Sequence, residues 1–269
     1  LMLRVPMITV AFFVMTPALV AIQWVLERLG LRGWPAVTMA YYGLLRMLLR
    51  VRVRVVGTPV RDHPVLIVAN HVSWVDIVVL GSIAPVAFIA KSEIADWPLI
   101  GQGAKAQRSV FVDRTRRHQT AEAIAEIAQR LTGGTPVVLF AEGTSSDGNR
   151  VLQFRSALVG AARDALDQAK PTQQVLVQPL SICYTRFQGL PMGRQHRPVV
   201  AWYGDLDFMP HLKEFVRRGA VDAVVTWGEP IAYDGTTDRK TLVKSLEGTV
   251  RRLSAAARRD RPSLAGSAA

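Results

Sequence analysis

Short apolar runs recur along this chain at 64–69, 86–90, 110–112, 137–140, 175–183, 199–203 and 223–227. They are too short for buried helices and rich in Val, Ile, Leu and Phe, as expected of strands covered on both faces. Between them, apolar residues return at helical spacing over 73–82, 116–131, 156–168, 212–218 and 241–257. Strands buried on both faces require a helical layer on each side. The alternation therefore predicts an α/β fold, a mostly parallel mixed sheet covered by helices. The run Val51-Arg-Val-Arg-Val-Val56 alternates instead, as a half-buried strand does, and opens that domain.

Ahead of the sheet lies a different kind of sequence. Residues 5–26 contain no charge, which meets the length needed to cross a hydrocarbon core of about 30 Å. Pro6, Thr9, Thr16, Pro17 and Gln23 weaken the segment, so a helix lying partly in the interface competes with a full span. No small-x-small cleavage site precedes Glu27 and Arg28, and the segment is expected to persist as an anchor rather than leave as a signal peptide. After Trp34-Pro35, residues 36–49 carry Tyr41, Tyr42 and Arg46, the pattern of an interfacial helix or the return arm of a hairpin. An ordinary buried helical hairpin fits the same hydropathy. Arg28, Arg32, Arg46, Arg50, Arg52 and Arg54 flank these segments and predict that the flanks face the cytoplasm, at an inner membrane. The expected organisation is thus a membrane-anchoring helical pair over 1–50, an α/β domain over 51–257, and a disordered Arg-, Ala- and Ser-rich tail over 258–269.

A formal charge of +12 on a chain that is 49% hydrophobic points to an anionic membrane surface. No finger, helix-turn-helix or RNP pattern gathers the arginines, so nucleic acid is not the expected partner. Cys183 is the only cysteine, which rules out a disulfide framework, and the five histidines lack metal-ligand spacing.

Three polar blocks stand at predicted strand ends. The strand at 64–69 delivers Asn70-His71-Val72-Ser73-Trp74-Val75-Asp76. If Asp76 folds back onto one ring nitrogen of His71, it fixes the tautomer and leaves the other nitrogen to accept a proton. Ser73-x-x-Asp76 also has capping-box spacing, so Asp76 tying down a helix N-terminus is an equally open reading. The strand at 110–112 ends in Asp113-Arg114, where a guanidinium suits a phosphate or carboxylate and an ion pair between the two is the plain alternative. The strand at 137–140 breaks into Ala141-Glu142-Gly143-Thr144-Ser145-Ser146-Asp147-Gly148, a loop whose backbone N–H groups can approach an anionic or polyol ligand. Such ends converge on one crevice in open α/β sheets.

Taken in order, Asn70-His71-x4-Asp76, Phe111-Val112-Asp113-Arg114, Phe140-Ala141-Glu142-Gly143-Thr144 and Val177-Gln178-Pro179-Leu180-Ser181 resemble the four motifs of the glycerolipid acyltransferases that form phosphatidic acid from its lyso form. The resemblance covers about residues 50–230. It implies a glycerol-3-phosphate acyltransferase-like α/β domain behind a helical pair, with no metal, no cofactor and no covalent acyl-enzyme. It also implies transfer of an acyl group from acyl-carrier protein or coenzyme A to a lysolipid hydroxyl, most simply 1-acylglycerol-3-phosphate. By the same resemblance His71 is the base, Asp76 orients it, Arg114 binds the headgroup, and Glu142, Gly143 and Thr144 line the acceptor site. Where the family has Pro-Glu-Gly-Thr-Arg, this chain has Ala141-Glu142-Gly143-Thr144-Ser145 and lacks the terminal arginine, a phosphate contact. Residues 142–152 and 202–212 are similar to a bacterial branch that acylates lyso-ornithine lipid, whose headgroup is an amino acid. Arg155 is the expected substitute for the missing arginine. A non-catalytic scaffold on anionic membranes and a membrane-bound hydrolase are rival classes. The first has no need of three polar strand ends, and the second lacks a Gly-x-Ser-x-Gly elbow.

Overall fold

The computed structural model describes residues 4–31, 34–112, 117–155, 159, 175–233 and 238–259. Its helices are α1 (Arg4–Arg28), α2 (Trp34–Leu48), α3 (Val75–Ile83), α4 (Ile100–Ala106), α5 (Arg117–Thr132), α6 (Phe208–Arg218) and α7 (Arg239–Arg259). The strands are β1 (Val51–Val56), β2 (Val65–Ala69), β3 (Ala87–Lys91), β4 (Val110–Val112), β5 (Val137–Phe140), β6 (Val175–Phe187), β7 (Leu190–Pro191), β8 (Val221–Trp227) and β9 (Ile231–Tyr233). Short 3₁₀ turns occupy Ser92–Asp96 and Arg194–Val199.

In space the strands run β1-β8-β6-β2-β5-β3-β4, with β7 and β9 pairing with β6. The pairs from β6 through β2, β5 and β3 to β4 are all parallel, as is β1 with β8, while β8, β7 and β9 run antiparallel to β6. This is the expected mostly parallel mixed sheet. Central β2 is buried at every position, and its residues divide by the two-residue period of a strand. Val65, Ile67 and Ala69 join the core beneath α2 and α3, and Leu66 and Val68 join the core beneath α5 and α7. Each of the Val, Leu and Ile side chains contributes about 1.5–3 kcal/mol by leaving water.

One expected strand is absent. Residues 199–203 form the end of a 3₁₀ turn and an irregular strap, whose Trp202 N–H bonds the Val72 carbonyl rather than a neighbouring strand. Val200 and Ala201 are nevertheless buried, which accounts for the apolar run. β6 continues beyond the expected 183 to Phe187. The helix expected at 156–168 lies outside the described residues apart from Val159, as does the tail from 260 onward.

The uncharged N-terminal segment forms α1, and α2 follows as its antecedent to the sheet. Among the described residues no helix is long and apolar enough to cross a membrane. Pro17 lies within α1. Two of its polar residues turn inward: Thr16 bonds the Tyr41 hydroxyl at 2.8 Å, and Gln23 is buried. The outer face instead presents Met7, Val10, Phe13, Val14, Trp24 and Val25 to solvent. The second helix is tied to the α/β domain by polar bonds as well as by apolar packing. The Tyr42 hydroxyl donates to Gln107 Oε1 at 2.6 Å, and Gln107 Nε2 donates to the Val86 carbonyl at 3.2 Å.

A close approach between α2 and α3 is made possible by Gly81, where a Cβ would meet the Tyr42 ring at 2.6 Å. Gly81→Ala is therefore expected to destabilise the protein by about 1–3 kcal/mol through overpacking, despite the better helix propensity of alanine. Chemical denaturation in detergent measures this, and an unchanged or raised stability would show that the contact relaxes freely.

Candidate active site

Parallel pairing sets β2 and β5 side by side with Ala69 opposite Phe140, so the two chains leave the sheet at the same level. His71 stands two residues beyond one strand and Glu142 two beyond the other. The Ala141 N–H donates to the Ala69 carbonyl at 3.1 Å, prolonging the ladder past the strand ends. From there both chains turn away, and the polar groups they expose satisfy one another.

Asp76, in the first turn of α3, is fully buried and accepts every hydrogen bond its position offers. Its Oδ2 receives His71 Nδ1 at 2.8 Å, the Val72 N–H at 2.7 Å and the Ser73 N–H at 3.0 Å. Its Oδ1 receives the Tyr184 hydroxyl at 2.7 Å. Orientation of His71 and anchoring of the helix-start loop are thus carried by the same carboxylate. Because the other donors to Asp76 leave it acceptor-only, Nδ1 carries the proton and Nε2 is left as an acceptor. Among the described residues Nε2 has no partner, and the imidazole is partly open, its side chain 19% exposed. Phe140 stacks on the ring at 4.1 Å, and Phe88 stacks on Phe140.

Glu142 faces inward, with 1% exposure. Its Oε1 accepts the His71 N–H at 3.0 Å and its Oε2 the Leu152 N–H at 3.1 Å, so both oxygens brace the loop that carries the histidine. Burial pushes the Glu142 carboxyl up to about 7, more than its two backbone hydrogen bonds pull it down. Gly143 adopts a φ of 72°, a left-handed conformation that suits glycine at this turn. Thr144 is exposed beside it. The loop then returns: the Ser146 N–H donates to the His71 carbonyl at 2.8 Å, and the Ser145 hydroxyl donates to the Trp202 carbonyl. Arg155 is exposed, and its N–H bonds the Ala141 carbonyl at 2.7 Å, which places it next to Glu142 along the backbone.

His71, Asp76, Glu142, Gly143, Thr144 and Arg155 therefore gather at one sheet edge. Asp113 and Arg114 lie outside the described residues. Sequence reasoning passed over Tyr184, although Leu180, Ile182 and Tyr184 share one face of β6 by strand alternation and that face leads to Asp76. It also assigned no part to Asn70, whose side chain clamps the β6 backbone at Ile182 through bonds of 2.8 and 2.9 Å. The Trp202 N–H, which donates to the Val72 carbonyl at 3.0 Å, has no sequence signal because the apolar run at 199–203 carries the pattern of a strand.

Chemically, the arrangement is a buried carboxylate, an oriented imidazole and an open Nε2 at the C-terminal edge of a parallel sheet. That is the geometry of a general base, and among the described residues no serine or cysteine hydrogen-bonds its Nε2. A model of the Acyltransferase family matches residues 52–183. A lyso-ornithine lipid O-acyltransferase of Brucella abortus is 45% identical over 252 residues, covering 93% of this chain and 94% of the relative. One from Rhizobium meliloti is 47% identical over 207 residues, 77% of this chain and 70% of its own. A 1-acyl-sn-glycerol-3-phosphate acyltransferase of Neisseria gonorrhoeae is 38% identical, over 41% of this chain and 44% of its own. The crystal structure of the 1-acyl-sn-glycerophosphate acyltransferase of Thermotoga maritima shares the fold, with a TM-score of 0.64 at 23% identity, covering 97% of this chain and 99% of that one. The chain belongs to the acyltransferase family.

Glu142 makes stability depend on pH. Its ordinary value near 4.5 in the unfolded chain lies below its folded value of about 7, so folding takes up a proton between the two. The contribution opposes folding increasingly as pH rises through that window and levels off above it. Denaturation midpoints measured from pH 4.5 to 7.5 should fall more steeply in the wild type than in Glu142→Gln, and equal slopes would refute the assignment.

Proposed function

We propose that the protein is an O-acyltransferase that moves a fatty acyl group from an acyl-carrier protein or coenzyme A thioester to the free hydroxyl of lyso-ornithine lipid. The observation that carries the mechanism is His71 held at Nδ1 by Asp76 with Nε2 open. Nε2 takes the proton of the acceptor hydroxyl as its oxygen attacks the thioester carbonyl. The new C–O bond forms, the C–S bond breaks, and the imidazolium returns the proton to the departing thiolate. Positioned proton transfer of this kind contributes on the order of 10²–10⁴ in rate.

The choice of acceptor rests on two supports. Relatives that cover most of this chain are named for lyso-ornithine lipid, whereas the Neisseria gonorrhoeae relative named for 1-acylglycerol-3-phosphate matches 41% of it. The side chain at 145 is a serine hydroxyl turned onto the Trp202 carbonyl, so the position that would carry the phosphate-binding arginine is committed to the strap instead. Arg155, exposed beside the Glu142 loop, and Arg114 are the candidates to hold the headgroup carboxylate. Glu142, Gly143 and Thr144 shape the rim of the acceptor site, Glu142 by bracing the His71 backbone. The apolar outer face of α1 lies in the headgroup region of an inner membrane, with the α/β domain on the cytoplasmic side.

The test offers purified protein a labelled acyl thioester with lyso-ornithine lipid and with 1-acylglycerol-3-phosphate in parallel. Label is expected in ornithine lipid, with a rate lowered about 10²-fold or more in His71→Ala. Label only in phosphatidic acid would move the acceptor to the phosphate lipid, and an active His71→Ala would remove the base.

A further inference from the structure

Tyr184 carries a hydroxyl that the core around it does not need. It shares one face of β6 with Leu180 and Ile182 and belongs to the same buried cluster, where a phenylalanine would fill the space as well. A buried hydroxyl is costly unless it is bonded, and this one donates to Asp76 Oδ1 at 2.7 Å. The backbone around it aims the side chain there. Asn70, the residue before His71, grips the Ile182 N–H and carbonyl at 2.8 and 2.9 Å, which fixes β6 two residues ahead of Tyr184. Directly beyond, the register of β6 against β8 slips between Tyr184 and Arg186. Such an irregularity in a ladder re-aims the side chain beside it.

The bond has a consequence for the base. Asp76 Oδ2 faces His71 Nδ1, and its negative charge favours the imidazolium form of that ring. Charge drawn through Oδ1 toward the Tyr184 hydroxyl is withdrawn from Nδ1–H, so the carboxylate stabilises imidazolium less than it would without this donor. Burial, and after it the Asp76 charge, raise the phenol well above its ordinary range, so it stays a donor. The other ionisable groups that act on these residues are Glu142, whose charge is felt by Asp76 and in turn by Arg251, and Cys183 beside Tyr184. Burial raises the Cys183 thiol and keeps it neutral, and neither Glu142 nor Cys183 bonds the Asp76 carboxylate.

We infer that Tyr184 is a positioning residue that sets the proton affinity of His71 through Asp76. The hydroxyl keeps the imidazole neutral and able to accept, and it eases release of the proton to the departing thiolate. A base that must take a proton and then return it within one reaction needs both. The inference rests on His71 as the base and holds whichever lipid is the acceptor.

Tyr184→Phe removes the hydroxyl and keeps the ring. In the full-length variant in detergent, the acidic limb of kcat/KM for acyl transfer should move up by about half a pH unit or more. KM for the lipid should hold, because the hydroxyl bonds Asp76 and not the acceptor. One fluorine beside the Tyr184 hydroxyl, introduced at that site alone, makes it a stronger donor and should move the limb down. Nitrogen-15 titration of the His71 ring, assigned with His71→Ala, should show the same two displacements without turnover, which separates His71 from Glu142. Should Tyr184→Phe not fold, the fluorinated protein decides. A His71 midpoint that stays in place in either folded protein, or a change in KM with the limb unmoved, would overturn the inference. A displaced His71 midpoint with an unmoved rate limb would uphold the coupling and remove His71 as the base.

Discussion

A fully buried carboxylate with four donors is the interaction on which the rest of this molecule depends. Asp76 collects His71 Nδ1, two backbone N–H groups and the Tyr184 hydroxyl, so its charge is satisfied without a cation. A buried charge left with fewer partners would be costly, and its donors come from two parts of the fold. The loop after β2 supplies the histidine and both amides, α3 supplies the carboxylate, and β6 supplies the hydroxyl from across the sheet. Loss of any one would leave the carboxylate under-satisfied, and because the Tyr184 hydroxyl comes from β6 the geometry of the imidazole depends on the sheet as well as on the local turn.

The sheet makes that convergence possible. Parallel register brings the ends of β2 and β5 to one level, and Glu142 then bridges the two loops by accepting from His71 and Leu152. Burial of Glu142 brings a cost that grows as it ionises, and that cost is accepted at the position where the base-bearing backbone must be held. Behind the same loop, Arg197 and Arg258 hold the carbonyls of Gly148 and Asn149. The turn that carries His71 is therefore fixed from three directions, while Nε2 stays open.

Much of this was legible in the residues, for identifiable reasons. Strands of the β2 and β5 type announce themselves because burial on both faces demands continuous apolar side chains, and polar residues directly after such strands stand out. The His71–Asp76 pair was readable because its members are five apart, within reach of a single turn. Tyr184 was not, since its contact with Asp76 spans the sheet and depends on a pairing order that local pattern does not encode. The strap at 199–203 is not distinguishable from a strand in the sequence, because burial of Val200 and Ala201 produces the same apolar run as strand pairing. The capping and charge-orienting readings of Asp76 looked like rivals in the sequence, yet one carboxylate has enough lone pairs for both.

The central claim is that His71 is held as the Nδ1–H tautomer with Nε2 ready to take a proton. Nitrogen-15 NMR of histidine-labelled protein tests it most directly, with His71→Ala identifying the signal. The account predicts a neutral ring with its proton on Nδ1 and a shift typical of a bare Nε2 in the resting enzyme. A ring protonated at Nε2, with Nδ1 bare toward Asp76, would contradict it.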